Sequence, residues 1–149
     1  MMNIANEKVF VGGSQSLRCL PEKAKSFLDG LMQRQCEILI GDCFGADAAV
    51  QAHLKASGYQ KVVIYYTGDA PRHNLGGWKS VCIPSTHAAG TYERHHDKDI
   101  AMQKLCDSAF MIWDGKSRGT KANIDEISCD KLYIWQNLDG EEIIAHRIL

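Results

Sequence analysis

The chain has 149 residues, 45% hydrophobic and 23% charged, with a formal net charge of -1. That length fits one domain able to bury roughly 70% of its unfolded surface. The charge balance excludes a global field that would draw nucleic acid non-specifically, and no uninterrupted apolar stretch approaches the roughly 20 residues needed to span a bilayer, so neither a nucleic-acid nor a membrane partner is expected.

Val9-Phe10-Val11 is a β-branched and aromatic run that stops at Gly12-Gly13-Ser14, and reads as a first strand. Pro21 opens a segment to residue 34 with apolar residues at Ala24, Phe27, Leu28, Leu31 and Met32. That is helical spacing, with proline at a permitted first-turn position. Residues 37–40 form a second strand, and residues 46–57 a second helix closed by Gly58. Val62-Val63-Ile64-Tyr65-Tyr66 is a third strand, continuously apolar as expected where both faces are covered. Residues 67–79, broken by Gly68, Pro71, Asn74, Gly76 and Gly77, read as a loop. Val81-Cys82-Ile83 follows as a short fourth strand, and residues 91–105 as a helix with Ile100, Ala101, Met102 and Leu105 on or near one face. Residues 109–113 are a fifth strand, 120–129 a helix and 132–135 a sixth strand; after a turn at 137–140, residues 142–148 suit an antiparallel edge strand. Strands alternating with helices of roughly 10–15 residues imply right-handed crossovers. The expected fold is therefore a single three-layer, Rossmann-like α/β domain, with a mostly parallel sheet flanked by helices on both faces.

Six cysteines (Cys19, Cys36, Cys43, Cys82, Cys106, Cys129) are scattered, with no C-x-x-C pair and no metal-ligand spacing. In or beside apolar runs a cysteine behaves as a small hydrophobe, so neither a metal site nor a disulfide framework is expected, and no cofactor is called for. Free thiols imply a reducing compartment. Residues 1–8 contain no apolar leader, which adds to the expectation of a cytoplasmic protein.

Three turns follow strand carboxyl ends and so fall on one rim of such a sheet, where ligands bind. At Gly12-Gly13-Ser14 the backbone can approach a ligand closely, although a plain loop would look the same. In Gly41-Asp42-Cys43-Phe44-Gly45-Ala46-Asp47, Gly45 and Ala46 leave room at a helix start, and Asp47 suits the helix dipole and can accept hydrogen bonds from ribose hydroxyls. The competing role for Asp42 or Asp47 is capping the helix. Asp114-Gly115-Lys116-Ser117-Arg118-Gly119-Thr120 combines small residues, cations and hydroxyls before a helix. Ser117, Gly119 and Thr120 can hold a phosphate through N–H and O–H donors, with Arg118 or Lys116 supplying charge; the alternative is a solvated basic turn. The turn lacks the G-x-x-x-x-G-K-[ST] spacing of a triphosphate-hydrolysing loop.

The run Tyr92-Glu93-Arg94-His95-His96-Asp97-Lys98-Asp99 enters a helix. Adjacent histidines do not share a helix face, so a zinc site would need ligands from elsewhere. His95 or His96 suits acid–base work, against the alternative of a solvated face. Ser14 and Ser16 lack the strand–turn–helix setting of a nucleophilic serine.

Taken together, strand-Gly12-Gly13-Ser14, Gly41-x-x-x-Gly45-Ala46-Asp47, Lys98-Asp99-x-x-Met102 followed by Cys106-Asp107, and strand-x-Gly115-x-Ser117-x-Gly119-Thr120 resemble the SLOG superfamily of Rossmann-like domains. That group includes the lonely-guy phosphoribohydrolases and the Smf/DprA DNA-processing proteins, and the likeness covers residues 9–135. The resemblance implies a nucleotide or nucleotide-sugar pocket at the strand carboxyl ends, and a homodimer through helices flanking it. The hydrolytic members cleave the N-glycosidic bond of a nucleoside monophosphate with an arginine and a glutamate whose positions fall here on Lys98 and Asn123. Asn123 is neutral and cannot serve as a carboxylate, and Lys98 lacks the arginine fork. Asp125 or Glu126, within the next helical turn, is the candidate replacement. The leading expectation is binding of a nucleotide or ribose-phosphate ligand. An N-glycosidase using Lys98 with Asp125 or Glu126 is the alternative, and a DNA-processing or interaction module a further one.

Overall fold

The computed structural model describes residues 7–148, so the reading of residues 1–8 as free of a leader falls mostly outside the described residues. In chain order the elements are β1 (Lys8–Gly13), α1 (Glu22–Gln33), β2 (Glu37–Gly41), α2 (Ala46–Ala56), β3 (Val62–Tyr66), β4 (Lys79–Cys82), α3 (Tyr92–Leu105), β5 (Ser108–Ile112), α4 (Arg118–Glu126), β6 (Lys131–Leu138) and β7 (Glu141–Ile148). They build one seven-stranded sheet in the order β4-β3-β2-β1-β5-β6-β7. Every neighbouring pair is parallel except β6–β7. The fold is the expected mostly parallel, three-layer α/β arrangement.

The two-residue pleat assigns the layers. Val9, Val11, Ile38, Ile40, Ile64, Phe110 and Ile112 share one buried cluster with Ala24, Leu28 and Leu31 of α1 and Val50 and Leu54 of α2. Phe10, Leu39, Val63, Tyr65, Ala109, Met111 and Leu132 share the other with Met102 of α3 and Ile124 of α4. Strands covered on both faces need no polar alternation, which is why they read as unbroken apolar runs.

From β1 the chain steps outward through β2 and β3 to β4, and α3 then carries it back to β5 on the other side of β1. Strand order therefore reverses at β1, and the carboxyl ends of β1, β2 and β5 border the crevice that such a reversal opens.

Some boundaries differ from those read in the sequence. Helix α4 begins at Arg118 rather than residue 120 and ends at Glu126 rather than 129. Its carboxyl end is closed from another element: Arg147 of β7 donates through Nη2 to the Ile127 carbonyl (2.7 Å) and through Nη1 to that of Ile124 (3.4 Å). Strand β6 runs on to Leu138 because β7 pairs with it along its whole length, and the chain reverses at Asp139 (φ 53°) and Gly140 (φ 86°). Strand β4 starts at Lys79, two residues before the expected position.

Candidate functional site

A cavity of about 350 Å³ opens at the strand reversal, within the range of small-ligand pockets. Its wall takes Gly12 and Gly13 from the end of β1, Gly41 from β2, Cys43 and Asp47 from the next turn, and Ser117, Gly119, Thr120 and Asn123 from α4 and its approach. Helix α3 supplies Tyr92, His95, His96, Lys98 and Asp99. Exposed residues Gln15 and Ser16 also border it, as does Tyr92, and these mark its mouth.

The turn before α4 is held by its own side chains. Asp114 Oδ1 accepts from the backbone N–H groups of Lys116 (2.8 Å) and Ser117 (2.7 Å), while Oδ2 accepts from the Ser16 hydroxyl (2.7 Å). Burial pushes the Asp114 carboxyl up, but the Ser16 hydroxyl and these N–H groups outweigh it and bring the value down to about 2. Beneath the turn, Ser14 is fully buried. Its hydroxyl lies 2.7 Å from Ser117 Oγ and accepts from the Asp114 N–H at 3.0 Å. The Ser117 side chain is thus turned toward β1 and does not cap α4. A helix start leaves its first N–H groups without intrahelical partners, and Ser117, Gly119 and Thr120 of this uncapped turn border the cavity.

The β2–α2 turn is set by crowding. A Cβ on Gly13 would sit 2.5 Å from the Ile112 carbonyl oxygen and 2.7 Å from Ala46 Cβ, so glycine lets the start of α2 close onto β1 and β5. Gly45 has φ 76°, and a Cβ there would lie 2.3 Å from the Gln15 carbonyl oxygen. Asp42 is no helix cap; buried at 1% exposure, it accepts from Arg72 N (2.8 Å), Nε (3.3 Å) and Nη2 (3.1 Å) and ties the β3–β4 loop to the rim. Asp47 Oδ2 accepts from the Cys43 N–H at 3.2 Å. The same oxygen and Lys98 Cε would crowd a Cβ at Gly41, at 2.7 and 3.1 Å, so the acid and the lysine converge there.

Burial drives the Asp47 carboxyl up to about 7 although Lys98 pulls it down, and Asp99 and Asp42 add to the rise. Asp47 is therefore close to half-protonated at neutral pH, able to donate or accept a hydrogen bond. Lys98 is only 1% exposed, and its Nζ donates to the His95 carbonyl at 2.9 Å. Burial opposes its charge, but Asp99, Cys43, Asp47 and Asp42 more than restore it and hold its value above the usual one. Burial also pushes the Cys43 thiol up to about 11, which keeps it protonated and unreactive.

The rest of α3 buries a polar face. His96 Nε2 lies 2.7 Å from Glu126 Oε1, its Nδ1 is 3.8 Å from Asp99 Oδ2, and its ring stacks on Tyr92 at 5.1 Å. Asp99, followed by Glu126, holds the imidazole above its ordinary value against burial. Asn123 donates through Nδ2 to Asp99 (3.0 Å) and accepts through Oδ1 from Gln103 (2.8 Å). His95 is lowered by burial, by Arg72 and by Lys98, and favours the neutral form.

Of the residues singled out in the sequence, Gly12, Gly13, Gly41, Asp47, Lys98, Ser117, Gly119 and Thr120 lie on the cavity wall. Ser14, Gly45 and Ala46 stand behind it as packing. Gly115 and Arg118 are exposed and off the wall. Asp125 is exposed and paired with Lys121 at 2.6 Å, and Glu126 reaches the cavity only through His96. The solvated-face reading of the 92–99 run fails at His96 and Lys98, which are buried. Asp99 and Asn123 were not singled out as contacts, and neither were Cys43, Gln15 and Ser16. The signal available for Asp99 was that α3 must bury a face against the sheet yet offers few apolar residues before Met102.

Among the described residues, no group of three or more His, Cys, Asp or Glu is arranged to hold a metal ion, and no helix is long and apolar enough to cross a membrane. Comparison with family models, with curated proteins and with solved structures finds no match.

Proposed function

We propose that this protein binds a nucleotide or ribose-phosphate ligand, with the phosphate on the first turn of α4 and the ribose hydroxyls on Asp47 and Asp99. The observation that carries the reading is the uncapped start of α4, bordering a cavity of about 350 Å³ at the strand reversal. Main-chain donors and a helix dipole suit a phosphate, and a cavity of that size suits one nucleoside monophosphate. The buried Lys98 adds positive charge, and carboxylates suit paired hydroxyls. The likeness to SLOG domains points the same way. The test is a thermal-shift and calorimetric screen of nucleoside monophosphates, ribose 5-phosphate and the unphosphorylated nucleosides. Binding that requires the phosphate supports the reading, and a uniform absence of binding refutes it.

A second reading, hydrolysis of an N-glycosidic bond, is favoured by the carboxyl groups on the wall, Asp47 and Asp99. In it Asp99 takes the carboxylate role proposed for Asp125 or Glu126 and stabilises the oxocarbenium-like centre, with Lys98 beside it. Asp47 in its protonated form gives its proton to the departing base as the C–N bond breaks, and water adds its oxygen to the ribose carbon and returns a proton to Asp47, leaving free base and ribose 5-phosphate. Release of free base from a nucleoside monophosphate, abolished by Asp99→Asn, would establish this activity; an inactive wild-type protein leaves binding alone.

A further inference from the structure

We infer that Tyr92 is a stacking platform for a planar ring, which commits the ligand class to base-bearing nucleotides rather than bare sugar phosphates. This rests on the binding reading above. Tyr92 is a large side chain left 49% exposed, and it lines the cavity. Burying aromatic surface is favourable, so an aromatic left open at a cavity mouth has unused contact area.

The ring is fixed before any ligand arrives. Thr91 caps α3 by accepting from the Arg94 N–H at 3.3 Å, which sets Tyr92 as the first helical residue. The ring lies nearly parallel to the His96 imidazole, at 18° and 5.1 Å. His96 is itself anchored by Glu126 at 2.7 Å. Tyr92 Cε2 would lie 3.7 Å from a Cβ on Gly119, so the ring borders the α4 turn assigned to the phosphate. One ligand can therefore reach both the donors of α4 and the aromatic face. A ring already held on one side by the His96 imidazole loses little freedom on accepting a second ring.

The test is calorimetric binding of AMP, UMP and ribose 5-phosphate to the wild-type protein, Tyr92→Phe and Tyr92→Leu. Since base–aromatic stacking changes affinity by roughly 5- to 150-fold, AMP and UMP should exceed ribose 5-phosphate by that margin. Tyr92→Leu should remove most of the margin and Tyr92→Phe should keep it, because the face acts and not the hydroxyl. Equal wild-type affinities, a margin that survives in Tyr92→Leu, or equal losses in both variants would overturn the inference while leaving phosphate binding intact. If none of the three ligands binds the wild-type protein, the inference and the reading beneath it both fail.

Discussion

Replacing Asp47 by asparagine should stabilise the protein, increasingly so as pH rises. The Asp47 carboxyl titrates at about 7 in the fold against an ordinary 3.8. The unfolded chain releases this proton near pH 4, whereas the fold keeps it until about pH 7. Between those values the unfolded state binds fewer protons, so wild-type stability falls by about 1.4 kcal/mol per pH unit through this group. Across the window the loss amounts to about 4 kcal/mol. Asparagine stays neutral throughout and keeps an oxygen for the Cys43 N–H. The difference between variant and wild type, read by urea denaturation, should be flat below pH 4, climb through the window and level above pH 7. For a domain of this size that corresponds to roughly 8–16 °C in melting temperature at pH 8. A difference independent of pH, or a wild type that gains on the variant as pH rises, would refute the assignment of Asp47 as a buried acid.

Ser14→Ala leaves the partly buried Asp114 N–H without its acceptor, and should cost about 1 kcal/mol in urea denaturation. Glycine replacements should rank by what a Cβ meets: Gly13→Ala strikes the Ile112 carbonyl at 2.5 Å and should lower the melting temperature sharply, whereas Gly12→Ala meets only side-chain atoms of Met111 and Phe10 at 3.3 and 3.4 Å and should lower it less. Lys98→Met removes the cation that pulls Asp47 down, so the pH window of the Asp47→Asn difference should extend above 7 in that background. Alkylation at pH 7.5, read by mass spectrometry, should modify exposed Cys19 and Cys82 well before Cys43, whose thiol is held at about 11.

The strands, helices and layer order were legible because periodicity is a local property. Val9, Val11 and Phe10 alternate between two cores, and Ala24, Leu28 and Leu31 recur at helical spacing. Ends fixed by distant partners were not legible. Arg147 closes α4 from β7, 20 residues beyond the Ile127 carbonyl it meets, and β7 extends β6 to Leu138. The rim turns could be placed from strand ends alone, since parallel topology gathers them on one side. The face that α3 turns to the cavity could not: His96, Lys98 and Asp99 become wall residues only because α3 crosses the sheet to reach β5. Likewise, whether Asp125 or Asp99 faces the cavity depends on helix rotation, which a polar run does not encode.

The most direct measurement is a titration of ¹⁵N-labelled protein with AMP, followed through its backbone amide resonances. Phosphate held by the first turn of α4 should shift Arg118, Gly119 and Thr120 together and saturably, with unphosphorylated adenosine leaving them in place. Unmoved amides at these three positions, or equal shifts from adenosine, would contradict the placement of an anion on that turn.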